Sequence, residues 1–309
     1  MIFVLLIFLL FIITCGICVY AYRIAFMAPP KKDPKEYHLP VGEQYEVHYP
    51  VIQASIEEML AKPYEEVSIH SFDDTKLYGR YYHYQDHAPI HLMMHGYKGN
   101  PYTDFCGGSK LAASFGHNLL VIDQRSHGNS EGKTITFGIK ERKDCFCWIQ
   151  YLSERFGSHT PIFLWGLSMG AATVLMTTDL LLPDNVVGIL ADCPYSAPKK
   201  IIKKVCTDMK LPANLFYPFI KLSAAVMGHF NLEESTAVDA VRNTNIPILL
   251  FHGDDDRFVP FEMSLELKEA NPNITFVPVA HAGHGLCYMV EAETYRNAVV
   301  SFIKNVLHE

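Results

Sequence analysis

Short unbroken apolar runs alternate along the chain with stretches in which apolar residues recur at helical spacing. Four runs typical of buried strands lie at residues 89–95, 118–123, 186–192 and 246–252. Helical periodicity appears between them, at residues 105–115 and 139–156. This alternation predicts an α/β domain with a mostly parallel central sheet and helices on both faces.

Further elements extend the pattern at both ends of the domain. Residues 65–71 and 77–84 are rich in β-branched and aromatic side chains and flank a turn at 72–75, so we predict a β-hairpin there. A last strand at 274–279 and a helix at 292–307 complete the domain.

The alternation stops between residues 194 and 245, where a basic helical pattern at 199–204 precedes an aromatic-rich one at 211–230. An interruption of this length predicts an inserted cap at about 195–244, above the sheet edge where ligands bind in open α/β folds. Four of its residues are candidates for an acyl or aromatic substrate pocket: Phe216, Tyr217, Phe219 and Met227. The alternative is that they only hold the helices of the cap together.

The N-terminus is uniformly apolar. Residues 2–22 carry no charged side chain and would span about 30 Å as a helix, the thickness of the hydrocarbon layer. A signal peptide normally has a basic start and a small-residue cleavage site, whereas this chain stays apolar up to Arg23. We therefore predict a single transmembrane anchor at 1–27, a linker and edge-wrapping segment at 28–63, and the α/β domain, with its cap, at 64–309.

Charge and cysteine usage bear on the side of the membrane. Basic residues follow the anchor at Arg23, Lys31, Lys32 and Lys35. By the positive-inside rule they predict that the α/β domain lies on the cytosolic face. Most of the eight cysteines are typical of small buried residues in a reducing compartment, which agrees with that orientation. A glycosylation acceptor pattern at Asn273 favours the opposite face, but it begins a predicted strand.

Nucleic acid, metals and other cofactors are not expected as partners. The formal net charge is −7, and no basic cluster with interleaved aromatic residues occurs. His91 and His95 share one face of a predicted strand but lie too far apart there to chelate one ion. Cys15 and Cys18 have C-x-x-C spacing inside the apolar N-terminus, a poor place for a metal or redox site.

The motif with the clearest chemistry is Gly166-Leu167-Ser168-Met169-Gly170, a G-x-S-x-G between a buried run and a helix start. A serine on a sharp strand-to-helix turn projects its hydroxyl in a strained conformation with φ above zero. Glycines two residues before and two after remove Cβ atoms that would collide there. Ser168 is therefore the predicted nucleophile.

A nucleophilic serine requires a base, and the base requires a carboxylate, in the chain order Ser, Asp or Glu, His. Three consecutive aspartates, Asp254 to Asp256, follow the strand at 246–252, and two histidines, His281 and His284, follow the last strand. Both loops lie at the carboxyl edge of the sheet. A Ser-Asp-His triad is predicted, although spacing does not choose among these residues.

An oxyanion formed by attack at Ser168 requires two backbone donors. The N–H of Met169, at the helix start, is one candidate. The other is the N–H of Tyr97, because Gly96 and Gly99 allow that loop a close backbone approach.

Together these motifs resemble those of the α/β-hydrolases from about residue 64 to the C-terminus. The motifs are His95-Gly96-Tyr97, Asp-Gln-Arg-Ser-His-Gly-Asn-Ser-Glu-Gly at 123–132, the G-x-S-x-G, His252-Gly253-x-x-Asp256-x-x-Val259-Pro260 and Gly283-His284. Within that superfamily the chain is similar to membrane-anchored bacterial serine hydrolases of the serine-aminopeptidase and dipeptidyl-peptidase-like kind. The resemblance implies an α/β-hydrolase fold with a helical cap, here with an N-terminal transmembrane helix in addition.

The resemblance also implies specific residues. The pattern H-G-x-x-D-x-x-V-P selects Asp256 among the three aspartates, and the family likewise favours His284. The loop at 123–132 looks structural, with Arg125 paired to a carboxylate. Cys193 and Cys287 stand where relatives often have serine.

We therefore expect a serine hydrolase that cleaves a carboxylic ester of a small-molecule acyl substrate through an acyl-enzyme. Ser168 attacks with His284 as base, Asp256 orients His284, and Tyr97 and Met169 hold the oxyanion. A thioesterase or peptidase of the same fold, acyl transfer to an acceptor other than water, and a membrane-tethered binding protein without turnover are the alternatives.

Overall fold

The computed structural model describes residues 1–30, 37 and 39–308. Lys31, Lys32 and Lys35, and with them part of the predicted linker, lie outside the described residues. Helices and strands alternate over most of the described chain, as the apolar pattern predicts.

One sheet organises the domain. Its eight strands within the described residues have the order β1-β2-β4-β3-β5-β6-β7-β8. β1 and β2 form the predicted hairpin, β2 pairs antiparallel with β4, and all later pairs are parallel. The strands are β1 Glu65–His70, β2 Lys76–Tyr82, β3 Ile90–Met94, β4 Asn118–Asp123, β5 Ile162–Leu167, β6 Val186–Asp192, β7 Ile248–Gly253 and β8 Thr275–Val279.

Helices cover both faces of the sheet. On β5, Leu164 packs into one core, while Phe163 and Trp165 pack into the other, because successive strand side chains point to opposite faces. The helices of the described residues are α1 Ile2–Ala25, α2 Glu43–Glu46, α3 Tyr49–Ala61, α4 Pro101–Ser114, α5 Glu141–Phe156, α6 Met169–Met176, α7 Pro198–Asp208, α8 Ala213–Met227, α9 Ala237–Ala240, α10 Glu262–Ala270, α11 Cys287–Val290 and α12 Ala292–Leu307.

The segment predicted to wrap the edge of the fold contains α3, a helix that the sequence reasoning did not identify. Ile52, Ile56 and Met59 recur at i, i+4 and i+7 and are buried in the core that also contains α4. This periodicity was the available signal for the helix.

The N-terminal helix α1 is long and apolar enough to cross a membrane. Its first half is exposed, whereas its second half packs along α8, where the Cys18 thiol lies 3.6 Å from the carbonyl oxygen of Phe219. Phe26, just past its end, is fully buried between Phe137 and Phe230. The sequence predicts only a linker between anchor and domain, so the docking of α1 onto the domain is an additional finding.

Three helices, α7 to α9, lie between β6 and β7, in the region predicted as the cap. α7 and α8 contribute buried Ile201, Ile202 and Ile220 to the core that also contains the helix after the G-x-S-x-G. We refer to residues 195–244 as the cap.

Candidate active site

Ser168 lies between β5 and α6, at φ +54° and ψ −116°. Its N–H donates to the carbonyl of Asp192 at 2.8 Å, which ties the turn to the neighbouring strand β6. The serine is buried but lines two cavities. The strained turn therefore has the geometry predicted for a nucleophilic serine.

The two glycines of the motif allow close backbone approach. A Cβ atom on Gly166 would lie 2.3 Å from the carbonyl oxygen of Gly170, and one on Gly170 would lie 1.8 Å from that of Met94. At these distances the backbone itself would have to move, within the turn for Gly166 and between β3 and α6 for Gly170. Both positions therefore require glycine.

His284 and Asp256 complete a hydrogen-bonded chain with the serine. The Ser168 hydroxyl donates to His284 Nε2 at 2.9 Å, and His284 Nδ1 donates to Asp256 Oδ2 at 2.7 Å. The two loops that carry these residues follow β8 and β7. This arrangement matches a serine, its general base and the carboxylate that orients the base.

The alternative residues of these loops have other partners. Asp254 accepts the backbone N–H of His281 at 2.6 Å, so the two bind each other. Asp255 pairs with Arg257 at the surface. Of the five residues that spacing left open, only Asp256 and His284 form the hydrogen-bonded series that ends at Ser168.

Asp256 is held by a second histidine that the sequence reasoning treated only as part of a motif. His252 Nε2 lies 3.2 Å from Asp256 Oδ2, and the backbone N–H groups of Phe258 and Val259 donate to Oδ1. Burial alone would raise the pKa of Asp256, but the hydrogen bonds from His252 and His284 hold it well below its usual value. Asp256 is therefore a carboxylate.

The loop after β3 lies against the nucleophile. A Cβ atom on Gly96 would lie 3.4 Å from Ser168 Cβ, and Tyr97 lines both cavities beside the serine. Met169 begins α6 and lines the larger cavity. Within the part of the chain that the structure describes, the N–H groups of Tyr97 and Met169 donate to no protein acceptor. Both are therefore available to an oxyanion.

Two further residues that were not predicted hold this loop. Asp104 of α4 accepts the N–H of Gly96 at 2.7 Å, and burial raises its pKa to about 6. His127 accepts the N–H of Lys98 at 3.1 Å through Nε2. The acidic residue in the first turn of α4 was the signal for Asp104, since that position is a common place for a carboxylate.

The loop at 123–132 has the structural role that the resemblance implies. Arg125 donates to both Asp144 and Asp73, at 2.5 Å and 3.0 Å for the shortest contacts. His127, in the same loop, accepts the N–H of Lys98 and so holds the loop at residues 96–99. The loop at 123–132 thus helps to fix the position of residues 96–99.

The four aromatic and methionine candidates of the cap differ in position. Phe216 lines the larger cavity beside Ser168. Tyr217 is buried and its hydroxyl donates to Glu233 at 3.1 Å, while the carbonyl of Phe219 faces α1. Met227 ends α8. Neighbours on a helix point about 100° apart, so one face of α8 supplies the cavity wall and another supplies the core.

Two cavities meet at Ser168. The small cavity, of about 230 Å³, lies towards α4 and is lined by Ser168 and His284 among others. The large cavity, of about 540 Å³, lies between α1 and the cap and reaches Ser168 and Met169. His284 lines the first and Met169 the second.

One group in the site has the composition of a metal site. Ligand atoms of Cys193, Asp256 and His284 lie within 4.8 Å of one another. Burial raises the pKa of the Cys193 thiol well above its usual value, so it is a poor source of the thiolate that a metal requires. The other two residues are engaged with each other and with the serine. His91, by contrast, stacks on Phe163 and hydrogen bonds to His117.

Comparison with known proteins gives matches in sequence and in structure. The model of the family "Serine aminopeptidase, S33" matches residues 92–243, which include Ser168 but neither Asp256 nor His284. The roles of the latter two therefore rest on the hydrogen bonds of this chain.

Similar curated proteins include the uncharacterized YqkD of Bacillus subtilis, 26% identical over 63% of this chain and 65% of that protein. The lysophosphatidylserine lipase ABHD12 of Danio rerio is 26% identical over 60% of this chain and 48% of that protein. Human ABHD12B is 28% identical over 53% and 44%. The matches thus span from 44% to 65% of the length of these relatives.

Solved structures extend the likeness to nearly the whole fold. An esterase of Pyrococcus furiosus, Pf2001, superposes with a TM-score of 0.66 at 23% identity, over 91% of this chain and 98% of that one. Est1E of Butyrivibrio proteoclasticus, with ferulic acid bound, gives 0.60 at 19% identity, over 79% and 100%. At these identities the superpositions show a shared α/β-hydrolase fold.

Proposed function

Because the chain belongs to the α/β-hydrolase superfamily, we propose that it is a serine hydrolase that cleaves carboxylic esters with Ser168, His284 and Asp256. The observation that carries the proposal is the continuous hydrogen-bonded chain from Asp256 through His284 to Ser168, at 2.7 Å and 2.9 Å. Esterases and lipases among the similar proteins favour an ester over other acyl bonds.

The reaction follows from this geometry. Ser168 Oγ attacks the ester carbonyl while His284 Nε2 takes the hydroxyl proton. The N–H groups of Tyr97 and Met169 stabilise the resulting oxyanion. The carbon–oxygen bond to the alcohol then breaks, and His284 gives its proton to the departing oxygen.

Water completes the cycle. His284 takes a proton from water as the water oxygen attacks the acyl-enzyme, and the bond to Ser168 breaks. The carboxylic acid leaves and Ser168 regains its proton. Asp256 stays ionised throughout and stabilises the charged form of His284.

The test is Ser168→Ala in the full-length protein, assayed with p-nitrophenyl butyrate and labelled with a fluorophosphonate. We expect turnover to fall at least 10³-fold and labelling to disappear, since removal of a triad residue typically costs this much or more. Ser109→Ala is the matched control, because Ser109 is buried and bonds the carbonyl of Cys106 in its own helix. Unchanged turnover in Ser168→Ala would refute the proposal.

The same assays separate the alternatives. Faster turnover of aminoacyl p-nitroanilides or of thioesters than of any ester would identify a peptidase or a thioesterase. A wild-type protein that neither turns over these substrates nor reacts with the fluorophosphonate is a binding protein. Transfer of the acyl group to added alcohols in preference to water would identify an acyltransferase.

We also propose that α1 anchors the protein in a membrane with the catalytic domain on the cytosolic face, because Arg23 lies at the end of α1 next to the domain. Protease treatment of sealed vesicles tests the orientation. Cleavage of the catalytic domain from the outside of right-side-out vesicles would contradict it.

A further inference from the structure

The large cavity has the N-terminal helix as one of its walls. Six residues of α1 line it: Gly16, Ile17, Tyr20, Ala21, Ile24 and Ala25. The volume of about 540 Å³ is within the range of roughly 300–1,000 Å³ that small-molecule pockets occupy. A predicted membrane anchor therefore forms part of a pocket that ends at the nucleophile.

The opposite wall is formed by the cap. Ile201, Ile202 and Val205 of α7 face the cavity, as do Phe216 and Ile220 of α8. All are apolar. Most of the residues that line the cavity are apolar, so it offers mainly dispersion contacts along its length. Its polar residues include Ser168 and Lys98.

The docked half of α1 is needed to cross a bilayer. α1 has 24 residues, about 36 Å of helix, against a hydrocarbon layer of about 30 Å. The freely exposed part, residues 2–13, gives only about 18 Å. A spanning α1 must therefore place its second half, which lines the cavity, in the hydrocarbon layer as well.

The neighbouring surface of the cap is suited to the same environment. Leu215, Leu222 and Val226 of α8 are 61%, 46% and 62% exposed. They lie on the helix that packs along α1, where Val19 and Ile24 are also exposed. Exposed apolar residues on two adjacent helices form a patch of the kind that contacts membranes.

The two cavities divide the substrate at the scissile bond. His284, which protonates the leaving alcohol, lines the small cavity. Met169, one of the two proposed oxyanion donors, lines the large one. We therefore expect the alcohol to leave on the side of the small cavity and the acyl chain to extend into the large cavity.

We propose that α1 is a wall of the acyl-chain site, and that the substrate is a long-chain acyl ester of a membrane lipid whose chain enters from the hydrocarbon layer between α1 and the cap. This inference rests on the proposed serine hydrolase function and names its substrate class. The acyl chain moves from the hydrocarbon layer into an apolar cavity, so its entry does not require exposure to water.

Filling the cavity from the side of α1 tests the inference. In full-length protein reconstituted in phosphatidylcholine nanodiscs, we compare Ala21→Phe with Val19→Phe, which adds the same kind of bulk on the exposed side of the helix. We expect Ala21→Phe to lower kcat/KM for p-nitrophenyl palmitate at least tenfold more than for p-nitrophenyl butyrate. Val19→Phe should leave both values within twofold of wild type.

A second variant covers the case in which Ala21→Phe does not fold. Gly16 also lines the cavity, and a Cβ atom there would have no neighbour within 4 Å. Gly16→Phe should therefore fold and produce the same selective loss of palmitate turnover. Equal effects on butyrate and palmitate in both variants would overturn the inference while leaving the proposed function intact.

A covalent probe shows directly which cavity holds the acyl chain. A hexadecyl fluorophosphonate with a diazirine in its chain reacts with Ser168 as fluoride leaves, and light then cross-links the chain to its surroundings. We expect cross-links in residues 14–25 of α1 and in the cap. Cross-links confined to the small cavity, at Phe105 or Tyr288, would contradict the inference. Failure of Ser168 to react with any ester or probe would refute the proposed function and the inference together.

Discussion

Ser168 lies between two regions that are held together by different interactions. On the polar side, short hydrogen bonds hold the loops that follow the strands, such as the bond between His284 and Asp256 and the bond from Gly96 to Asp104. On the apolar side, α1 and the cap meet around a cavity with apolar walls. Directional bonds fix atoms in place, whereas apolar contacts tolerate changes of shape. The difference suits the polar side to bond cleavage and the apolar side to substrate selection.

The contrast between the two sides can be measured from the rates at which short and long esters are hydrolysed. Substitutions on the polar side should slow the hydrolysis of short and long esters by the same factor. Substitutions on the apolar side should change the ratio of the two rates and leave short esters nearly unaffected.

The largest expected effect is that of Asp256→Asn. We expect kcat to fall by about 10³–10⁴-fold for both p-nitrophenyl butyrate and palmitate, because the amide cannot hold His284 in the correct tautomer. Asp255→Asn is the control, since Asp255 is exposed and pairs with Arg257. A loss restricted to the long ester would break the contrast between the two sides.

The lowered pKa of Asp256 also predicts that the free energy of unfolding depends on pH. Its pKa is lowered in the folded protein, chiefly by His252 and His284 against the effect of burial. The unfolded chain takes up the proton near its ordinary pKa of about 3.9, so the stabilisation is complete above that pH and is lost as the pH falls further. The difference in unfolding free energy between wild type and Asp256→Asn should narrow below about pH 4. A constant difference from pH 6 to pH 3 would contradict this.

The next effect in size is that of Gly170→Ala. The added methyl would lie 1.8 Å from the carbonyl oxygen of Met94 and 2.6 Å from that of His95. We expect a loss of at least about 3 kcal/mol in the free energy of unfolding, measured by urea denaturation, with turnover of short and long esters reduced alike.

Gly108→Ala is the matched control for this substitution. Its Cβ would meet Trp165 at 3.4 Å, an ordinary contact, inside α4. Alanine favours a helix over glycine by about 1 kcal/mol. We expect stability equal to or above wild type, and a similar loss in both variants would show that Gly170 is not specially constrained.

The strands and the sharp turn around the polar side were predictable from the sequence because their signals are local. The collisions that require Gly166 and Gly170 involve a five-residue turn and the strand beside it. The strands at 118–123 and 186–192 have the predicted bounds, since unbroken apolar runs end where the strands do. The choice of Asp256 needed a family pattern, because the folded loop, not the spacing, turns Asp254 towards His281.

The apolar side was much less predictable. No charged side chain occurs in residues 2–22, so no polar face distinguishes the side of α1 that docks on the cap. Adjacent Phe216 and Tyr217 have the same aromatic character, yet only the first lines the large cavity. Non-local packing decides such cases, and a single sequence carries little information about it.

The smallest expected effect is that of Tyr97→Phe, at the boundary between the two sides. The Tyr97 N–H is a proposed oxyanion donor, while the Tyr97 hydroxyl donates to the carbonyl of Ala25, at the end of α1, at 2.8 Å. The substitution keeps the N–H and removes the bond to the helix end, at a cost of about 1 kcal/mol. We expect turnover of p-nitrophenyl butyrate to change less than threefold and that of the palmitate to fall further.

Tyr84→Phe is the control, because Tyr84 is partly exposed and lines neither of the two cavities beside Ser168. It should match wild type with both esters. A loss of butyrate turnover in Tyr97→Phe as large as in Asp256→Asn would mean that α1 sets the position of the oxyanion donor. In that case α1 would belong to the catalytic machinery as well as to the proposed acyl-chain site, because the Tyr97 ring would transmit the position of Ala25 to the loop beside Ser168.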